Sequence, residues 1–535
     1  MVEAYDLLIV NATLVDGTGA PGRPAAVAVR DDTIVAVADA VEALTPGDTG
    51  RVIDGSGLVL APGFVDMHSH SDRTLLADPS AQSKIRQGVT TEVIGNCGMS
   101  PTPCVGPVAE EERARFGRWG VDVTWRTMGE YLDVLSDRGV GINVAALVGH
   151  GSVRKAAVGY DMRAPDAGEI TSIRRYVAES MAGGAFGISF GGIYPPSSYA
   201  TTEELIEASK AVGEAGGIYA CHMRNERERL LEAVEESIRI GRESGASVQI
   251  SHHKASSPKV WGLVTESLKL IEAANAEGVP VAVDQYPYRA SSTNLNAMIP
   301  PWAHEGGLKQ LALRLDHPEQ RARILADLRS ENPSGTGASL TPNDILVASC
   351  RTDRSLDGKT IAQVAEERRA DPYETVLDIL LANECDIGAI YFSMSEDDVR
   401  YVMRHPLMTV GSDSSSTVIG GKTAEGKPHP RTYGTFARIL GQYVRDEGVL
   451  TLEEAVAKMT GRSATKLRLA DRGTVEVGKK ADLVLFSAER VRETATYEDP
   501  HQYAEGIETV ILNGRVVIDG GEHTGTLAGR VLRHA

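Results

Sequence analysis

The sequence predicts an α/β protein: a (β/α)8 barrel, a small β-sandwich domain assembled from both termini, and an insertion late in the barrel. Three observations carry this expectation. Through the middle of the chain, apolar β-type runs alternate with helical patterns, the texture of βαβ units and a parallel sheet. The two ends share a different texture, short Val- and Ile-rich runs cut by Gly, Asp and Pro. The length, 535 residues, exceeds what one core usually organises unless that core is a barrel.

The elements follow in order. Residues 1–62 read as short strands in DLLIVNATLVDGTG, AAVAVRDDTIVAVAD and RVIDGSGLVLAPG, the N-terminal part of the sandwich. Residues 63–470 hold nine strand candidates: GFVDMH, VTTEVIG, NVAALVG, FGISF, IYACHM, SVQISHH, PVAVDQY, GAIYFS and MTVGSD. Between them lie helical patterns such as TTEELIEASKAVGEAGG and RERLLEAVEESIRIGRESGA. A TIM-like barrel accommodates eight strands, so one candidate is surplus. GAIYFS is the expected surplus, because it follows the long, less regular stretch 291–387, which reads as the insertion. Residues 471–535 return to the opening texture in GTVEVGKKADLVLFS and IETVILNGRVVIDGG, the C-terminal part of the sandwich. No fixed-period repeat or low-complexity tract interrupts this order.

Composition narrows the function classes. The formal net charge of -18 and a pI near 5.3 disfavour nucleic-acid and anionic-membrane partners. No apolar run approaches the length of a membrane span, and the opening residues lack the basic and apolar regions of a signal peptide, so a cytoplasmic enzyme is expected. The five cysteines, Cys97, Cys104, Cys221, Cys350 and Cys385, are few, odd in number and widely spaced, which argues against a disulfide framework.

Active sites of such barrels sit at the C-terminal ends of the strands. There the sequence places His68 and His70 in GFVDMHSHSD, Cys97 in EVIGNCG and His150 in LVGHGS. Further along come His222 in YACHM, His252 and His253 in ISHHK, and Asp413 in TVGSD. Alternate side chains of a strand share a face, so His68 and His70 can grip one object, and a metal ion is the obvious candidate. His252 and His253 cannot both face the barrel mouth, and Cys221 points away from His222. The other histidines, such as His304, His317, His405, His501, His523 and His534, lie in loops or polar helices and are expected to be solvated.

The ordered set FVDMHSH, GVTTEVIGNCGMSP, GHGSVR, GGIYPPSSYA, SHHK, DQYPY, GSDSSS, HPRTYGTF and a final ADLVLF resembles the amidohydrolase superfamily, more narrowly the N-acyl-D-amino-acid deacylases. The likeness covers nearly the whole barrel, from residue 63 to 436. It implies zinc-dependent hydrolysis of the amide bond of small N-acylated D-amino acids, with cysteine replacing the modified lysine of other branches. Ser189 and no lysine in FGISF agrees with the cysteine branch. The resemblance implies one tight Zn2+ site at Cys97, His222 and His252, with His253 in a supporting or packing role. A second, weaker position is then bounded by His68, His70 and Asp413.

Thiolate and imidazole suit zinc better than harder ions, and a hydrolytic site keeps one position open for water. Asp413 is the expected acid/base group; the bland reading is a helix N-cap in GSDSSS. His150 either stabilises an oxyanion or orients its loop. By resemblance Lys254, Tyr286, Ser292 and Arg431 hold the substrate carboxylate and its neighbours, and the rigid fork of Arg431 suits a carboxylate. Tyr194 either walls the acyl or side-chain pocket or packs. The loop between Asp413 and Arg431 is longer than the family pattern. A cyclic-amide hydrolase such as a hydantoinase or dihydroorotase, and a non-catalytic relative on the same scaffold, are the competing readings. Side-chain and acyl preference and oligomeric state are left open.

Overall fold

The computed structural model describes residues 3–39, 44, 46–331 and 333–534; residues 1, 2 and 535 of the end segments lie outside the described residues. Eight parallel strands run in sequence order around a barrel: Phe64–Asp66, Val89–Ile94, Asn143–Gly149, Gly187–Gly191, Ile218–His222, Ser247–Ile250, Val281–Gln285 and Met408–Val410. The last strand returns to the first. Met67 N donates to Val410 O at 3.0 Å, Asp413 N to His68 O at 2.8 Å, and His70 N to Ser414 O at 3.1 Å. Strands such as VTTEVI and NVAALVG are buried along their full length, which is why they read as unbroken rather than alternating runs.

The surrounding helices follow from local signals. Leu230–Ser244 buries Leu230, Val234, Ile238 and Gly241 on one stripe and stops at Gly245, whose φ of 78° is the left-handed stop that glycine tolerates. Met128–Arg138, Ala167–Ala182 and Leu452–Met459 each open with a capping box, from Thr127, Asp166 and Thr451.

GAIYFS is indeed not a barrel strand. Gly388–Phe392 forms the centre of a separate antiparallel sheet, between Ala290–Asn294 and Ile345–Ser349. That sheet and the helices from Leu308 to Ala382 enclose their own apolar core, including Leu311, Ile324, Val347, Leu377 and Tyr391. The inserted unit therefore includes Ala290 and the strand to Phe392, a few residues beyond 291–387.

The ends meet in a nine-stranded sheet, where Val59–Pro62 pairs antiparallel with Leu483–Phe486. Leu7, Ile9, Val27 and Val29 pack with Leu483, Leu485 and Ile511, while the alternate residues Leu8, Val10, Ala26 and Ala28 serve another core. The tail then leaves this sheet. Gly529 bridges Val140, and Leu532 N donates to Val144 O at 2.8 Å, so the last described residues pack on the barrel.

Candidate metal centre

Three residues just past strand ends hold a left-handed backbone: Cys97 at φ 53°, His252 at 37° and Asp413 at 51°. Such conformations cost about 1–3 kcal/mol each and persist where surrounding structure enforces them, typically at functional sites. At all three places the chain turns sharply and swings a side chain over the barrel mouth. Gly411, two residues before Asp413, allows one such turn, since a Cβ there would stand 2.6 Å from the His68 Cβ. Ser189 holds another: its hydroxyl donates to Gly95 O and accepts from Gly98 N at 3.0 Å, clasping the turn that carries Cys97.

These turns gather a compact set of donors. Cys97 Sγ lies 3.3 Å from His68 Nε2, 3.8 Å from His222 Nδ1 and 3.7 Å from His252 Nε2. The ligand atoms of His68, Cys97, His252 and Asp413 all lie within 4.8 Å of one another, as do those of His222, Glu226 and His252. A sulfur at about 2.3 Å and a nitrogen at about 2.05 Å from one tetrahedral ion stand roughly 3.6 Å apart, so the thiol and imidazole spacings fit zinc. His70 Nε2 lies 3.0 Å from Asp413 Oδ1, and His68 Nε2 lies 3.4 Å from the same oxygen.

The electrostatics agree. Burial alone would push the Cys97 thiol up, but the field of His68 and contacts with His222 and His252 hold it well below its ordinary range. Burial would likewise raise Asp413, yet Arg431, His68 and the bond to His70 keep it ionised. His70 is driven up to about 9, against burial, by Asp413 and Cys97. A thiolate and a carboxylate so close demand positive charge, which a divalent cation would supply.

The structure places the expected substrate groups around this cluster. Arg431, buried at the start of Arg431–Arg438, lies with Nη1 2.9 Å from Asp413 Oδ2, donates from Nη2 to Ser292 O at 3.1 Å, and covers the Tyr286 ring at 4.6 Å. Ser292 thus serves Arg431 with its carbonyl, while its hydroxyl donates to Ala389 O at 3.0 Å. The buried Tyr286 hydroxyl has no hydrogen-bond partner among the described residues. Tyr194 stands edge-on to His222, ring centres 5.2 Å apart, with its hydroxyl 2.8 Å from Thr293 Oγ1. Lys254 Nζ donates to Glu226 Oε1 at 2.6 Å and to His252 O at 2.7 Å.

Other expectations need correction. His150 does not join the cluster: its ring nitrogens meet Ser197 Oγ at 3.0 Å and Glu204 Oε1 at 3.2 Å, so the loop-orienting alternative describes it. His304 and His405 are buried rather than solvated, because the helices that carry them pack against neighbours. His501, His523 and His534 are half-buried, and only His317 of the six is exposed. As strand alternation leads one to expect, His253 turns away from the mouth to Ser267 Oγ at 2.8 Å, and Cys221 to Ser237 Oγ at 3.4 Å.

Sequence reasoning missed three carboxylates. Glu226 Oε1 lies 3.0 Å from His252 Nδ1. Lys254 Nζ is also 2.7 Å from that nitrogen, but the ammonium has two other acceptors, so the imidazole N–H belongs to Glu226, the arrangement that turns Nε2 toward a metal. Asp284 Oδ1 accepts from His252 N at 2.7 Å and lies 3.3 Å from His68 Nδ1. Asp66 Oδ1 accepts from Ser412 N at 2.8 Å. Asp66 was signalled by its place on the His68 face of GFVDMH; Glu226 and Asp284 carried no spacing signal.

A cleft of about 1410 Å³ runs from Cys97, Tyr194 and Glu226 beside the cluster to Ile299, Pro301 and Leu308 of the inserted unit.

Comparison with known proteins adds relatives. Residues 51–518 match the amidohydrolase family. The D-aminoacylase of Alcaligenes xylosoxydans xylosoxydans is 39% identical, covering 99% of this chain and 98% of that protein. The crystal structure of N-acyl-D-glutamate deacylase from Bordetella bronchiseptica, complexed with zinc and a phosphonate mimic of the tetrahedral intermediate, is 33% identical with a TM-score of 0.83, covering 99% of this chain and 100% of that one. D-hydantoinase from Thermus sp., 15% identical at a TM-score of 0.53 with 98% of each chain covered, shares the fold alone.

Proposed function

The chain belongs to the amidohydrolase family, and from that premise we propose that it hydrolyses the amide bond of N-acyl-D-amino acids, releasing a D-amino acid and a carboxylate. The observation that carries this reading is a thiol at zinc spacing from two imidazoles, beside an Asp413 carboxylate that an arginine reaches.

In this reading Cys97, His222 and His252 hold one tight Zn2+, and His68, His70 and Asp413 bound a weaker second position. Bound zinc supplies a Lewis acid for the scissile carbonyl and lowers the pKa of water from about 15.7 towards 7. Asp413 accepts a proton from the attacking water. As the C–N bond breaks, the same carboxyl gives that proton to the departing nitrogen, which an amide needs because its anion is a poor leaving group. Arg431 grips the substrate carboxylate, with the free Tyr286 hydroxyl and Lys254 beside it, and Ser292 steadies the guanidinium. Tyr194 walls the passage from His222 to the cleft. The preference for D substrates rests on the relatives, D-aminoacylase and N-acyl-D-glutamate deacylase.

The same reading takes residues 63–470, with their insertion, as the catalytic barrel and residues 1–62 and 471–535 as its supporting domain. It assigns the enzyme a small-molecule partner and a cytoplasmic setting. A cyclic-amide hydrolase is less well supported, since Ser189 stands in the fourth strand where that branch needs lysine. A non-catalytic relative is disfavoured by the complete donor set.

A paired panel of N-acetyl-D- and N-acetyl-L-amino acids, with a hydantoin alongside, tests this. Turnover of D members is expected. Turnover of the hydantoin alone, or of neither amino-acid series by zinc-loaded protein, overturns it.

A further inference from the structure

Lys84 is completely buried on the short helix Gln82–Ile85, and nothing in the reaction above uses it. Its ammonium group reaches four acceptors: Asp66 Oδ2 at 2.9 Å, Ser412 Oγ at 2.5 Å, Ser414 O at 2.9 Å and Ser414 Oγ at 2.8 Å. Ser412 and Ser414 are the two residues that flank Asp413. Asp66, equally buried, takes the Ser412 hydroxyl on Oδ2 at 2.6 Å and the Ser412 and His68 amides on Oδ1. One ion pair thus ties the first barrel strand, which leads to His68 and His70, to the turn after the last strand, which carries Asp413.

That turn needs holding. Asp413 sits in the left-handed region, and beyond Met408–Val410 the strand pairing continues as an isolated bridge between Ser69 and Ser414. Burying an ammonium and a carboxylate is unfavourable unless both are fully hydrogen-bonded, so an arrangement this complete fixes one geometry rather than merely filling space. A misplacement of 1 Å at a reacting group costs on the order of 10²-fold in rate.

We propose that Lys84 is a positioning residue for the deacylation: through Ser412 and Ser414 it holds the Asp413 carboxylate against His70 and Arg431, without touching substrate. The tight-site donors Cys97, His222 and His252 come from the second, fifth and sixth strands, so they do not depend on Lys84. The proposal rests on the function assigned to Asp413 above, and its test separates the two.

Lys84→Met is compared with the parent for zinc content, kcat and KM on an N-acetyl-D-amino acid. The tightly held zinc, one equivalent at Cys97, His222 and His252, is expected to stay and KM to remain within about threefold, while kcat falls on the order of 10²-fold. In an Asp413→Asn background the same substitution should cost less than about threefold, because its effect passes through Asp413. A folded Lys84→Met enzyme with parental kcat, or an undiminished loss in the Asp413→Asn background, overturns the proposal. Should Lys84→Met not fold, Ser412→Ala and Ser414→Ala carry the test without stranding a charge. Each is expected to lower kcat by about 3- to 30-fold, and parental kcat in both overturns the proposal. The crystal structure of Ser412→Ala reads the same claim without substrate: Asp413 displaced from Arg431 and His70 supports it, and an unmoved carboxylate overturns it. If the parent hydrolyses no N-acyl-D-amino acid, the functional reading fails, and this structural arm still decides the proposal.

Discussion

Replacing Arg431 with methionine keeps an unbranched stem in a buried site, where Arg431 is only 4% exposed, and removes the guanidinium. In the free protein that group already lies 2.9 Å from Asp413 and donates to Ser292 O. The Nη1 group makes no hydrogen bond among the described residues, but an incoming carboxylate must share it with the neighbouring Asp413 charge, so the gain is counted as one charge-assisted hydrogen bond rather than a full bidentate pair. Such a bond is worth about 1.5–3 kcal/mol, so kcat/KM for an N-acetyl-D-amino acid should fall by about 10- to 150-fold. The assay compares each enzyme on the acid and on the corresponding neutral carboxamide. The parent should prefer the acid by that factor, and Arg431→Met should lose the preference, its rate on the carboxamide falling far less. A variant that still prefers the acid as strongly as the parent refutes the assignment of Arg431 to the carboxylate.

Three further outcomes follow from the same geometry. Cys97→Ala removes the sulfur that both His222 Nδ1 and His252 Nε2 face, so elemental analysis of the purified variant should show zinc reduced to a small fraction of the parental content; parental zinc contradicts the ligand set. Burial lowers His304 to about 4, so below its unfolded value of 6.5 the unfolded chain binds a proton that the folded chain refuses. The contribution of His304 to stability is thus nearly flat above pH 7 and is lost as pH falls from about 6.5 towards 4, by about 2 kcal/mol between pH 7 and 5. His304→Gln should remove that part of the fall in thermal midpoint, and an identical pH dependence in parent and variant rejects it. With the carboxylate at Arg431, an acyl chain leaves the carbonyl on the opposite side, towards the cleft that passes Tyr194 to Ile299 and Leu308. N-acyl substrates with about six to eight acyl carbons should then keep kcat/KM within about tenfold of the acetyl compound, and a loss beyond about 10²-fold shows that the cleft does not receive the chain.

Much of this was legible in the sequence where period and position act locally. Runs such as NVAALVG declare buried parallel strands, and the residue after each run marks the barrel mouth, which is how His68, Cys97, His222 and Asp413 could be named together. GAIYFS has the composition of a strand and is one; its long, irregular lead-in placed it outside the barrel. What the sequence did not disclose are groups whose meaning depends on distant partners. Lys84 and Ser412 are 328 positions apart, and SKIRQG has no pattern that foretells an ammonium under the barrel seam. Glu226 follows His222 by four residues in a loop, where no helical period makes that spacing informative. His304 and His405 read as polar-segment histidines because their burial is imposed by packing between elements, which local texture does not encode.

The account turns on a sulfur atom and imidazole nitrogens sharing one ion at the barrel mouth. X-ray absorption at the zinc edge of the zinc-loaded protein reads this directly. The prediction is one sulfur scatterer at about 2.3 Å with nitrogen or oxygen neighbours at about 2.0–2.1 Å, and no sulfur around whatever zinc Cys97→Ala still retains. A first shell without sulfur in the parent, or one unchanged by that substitution, contradicts it.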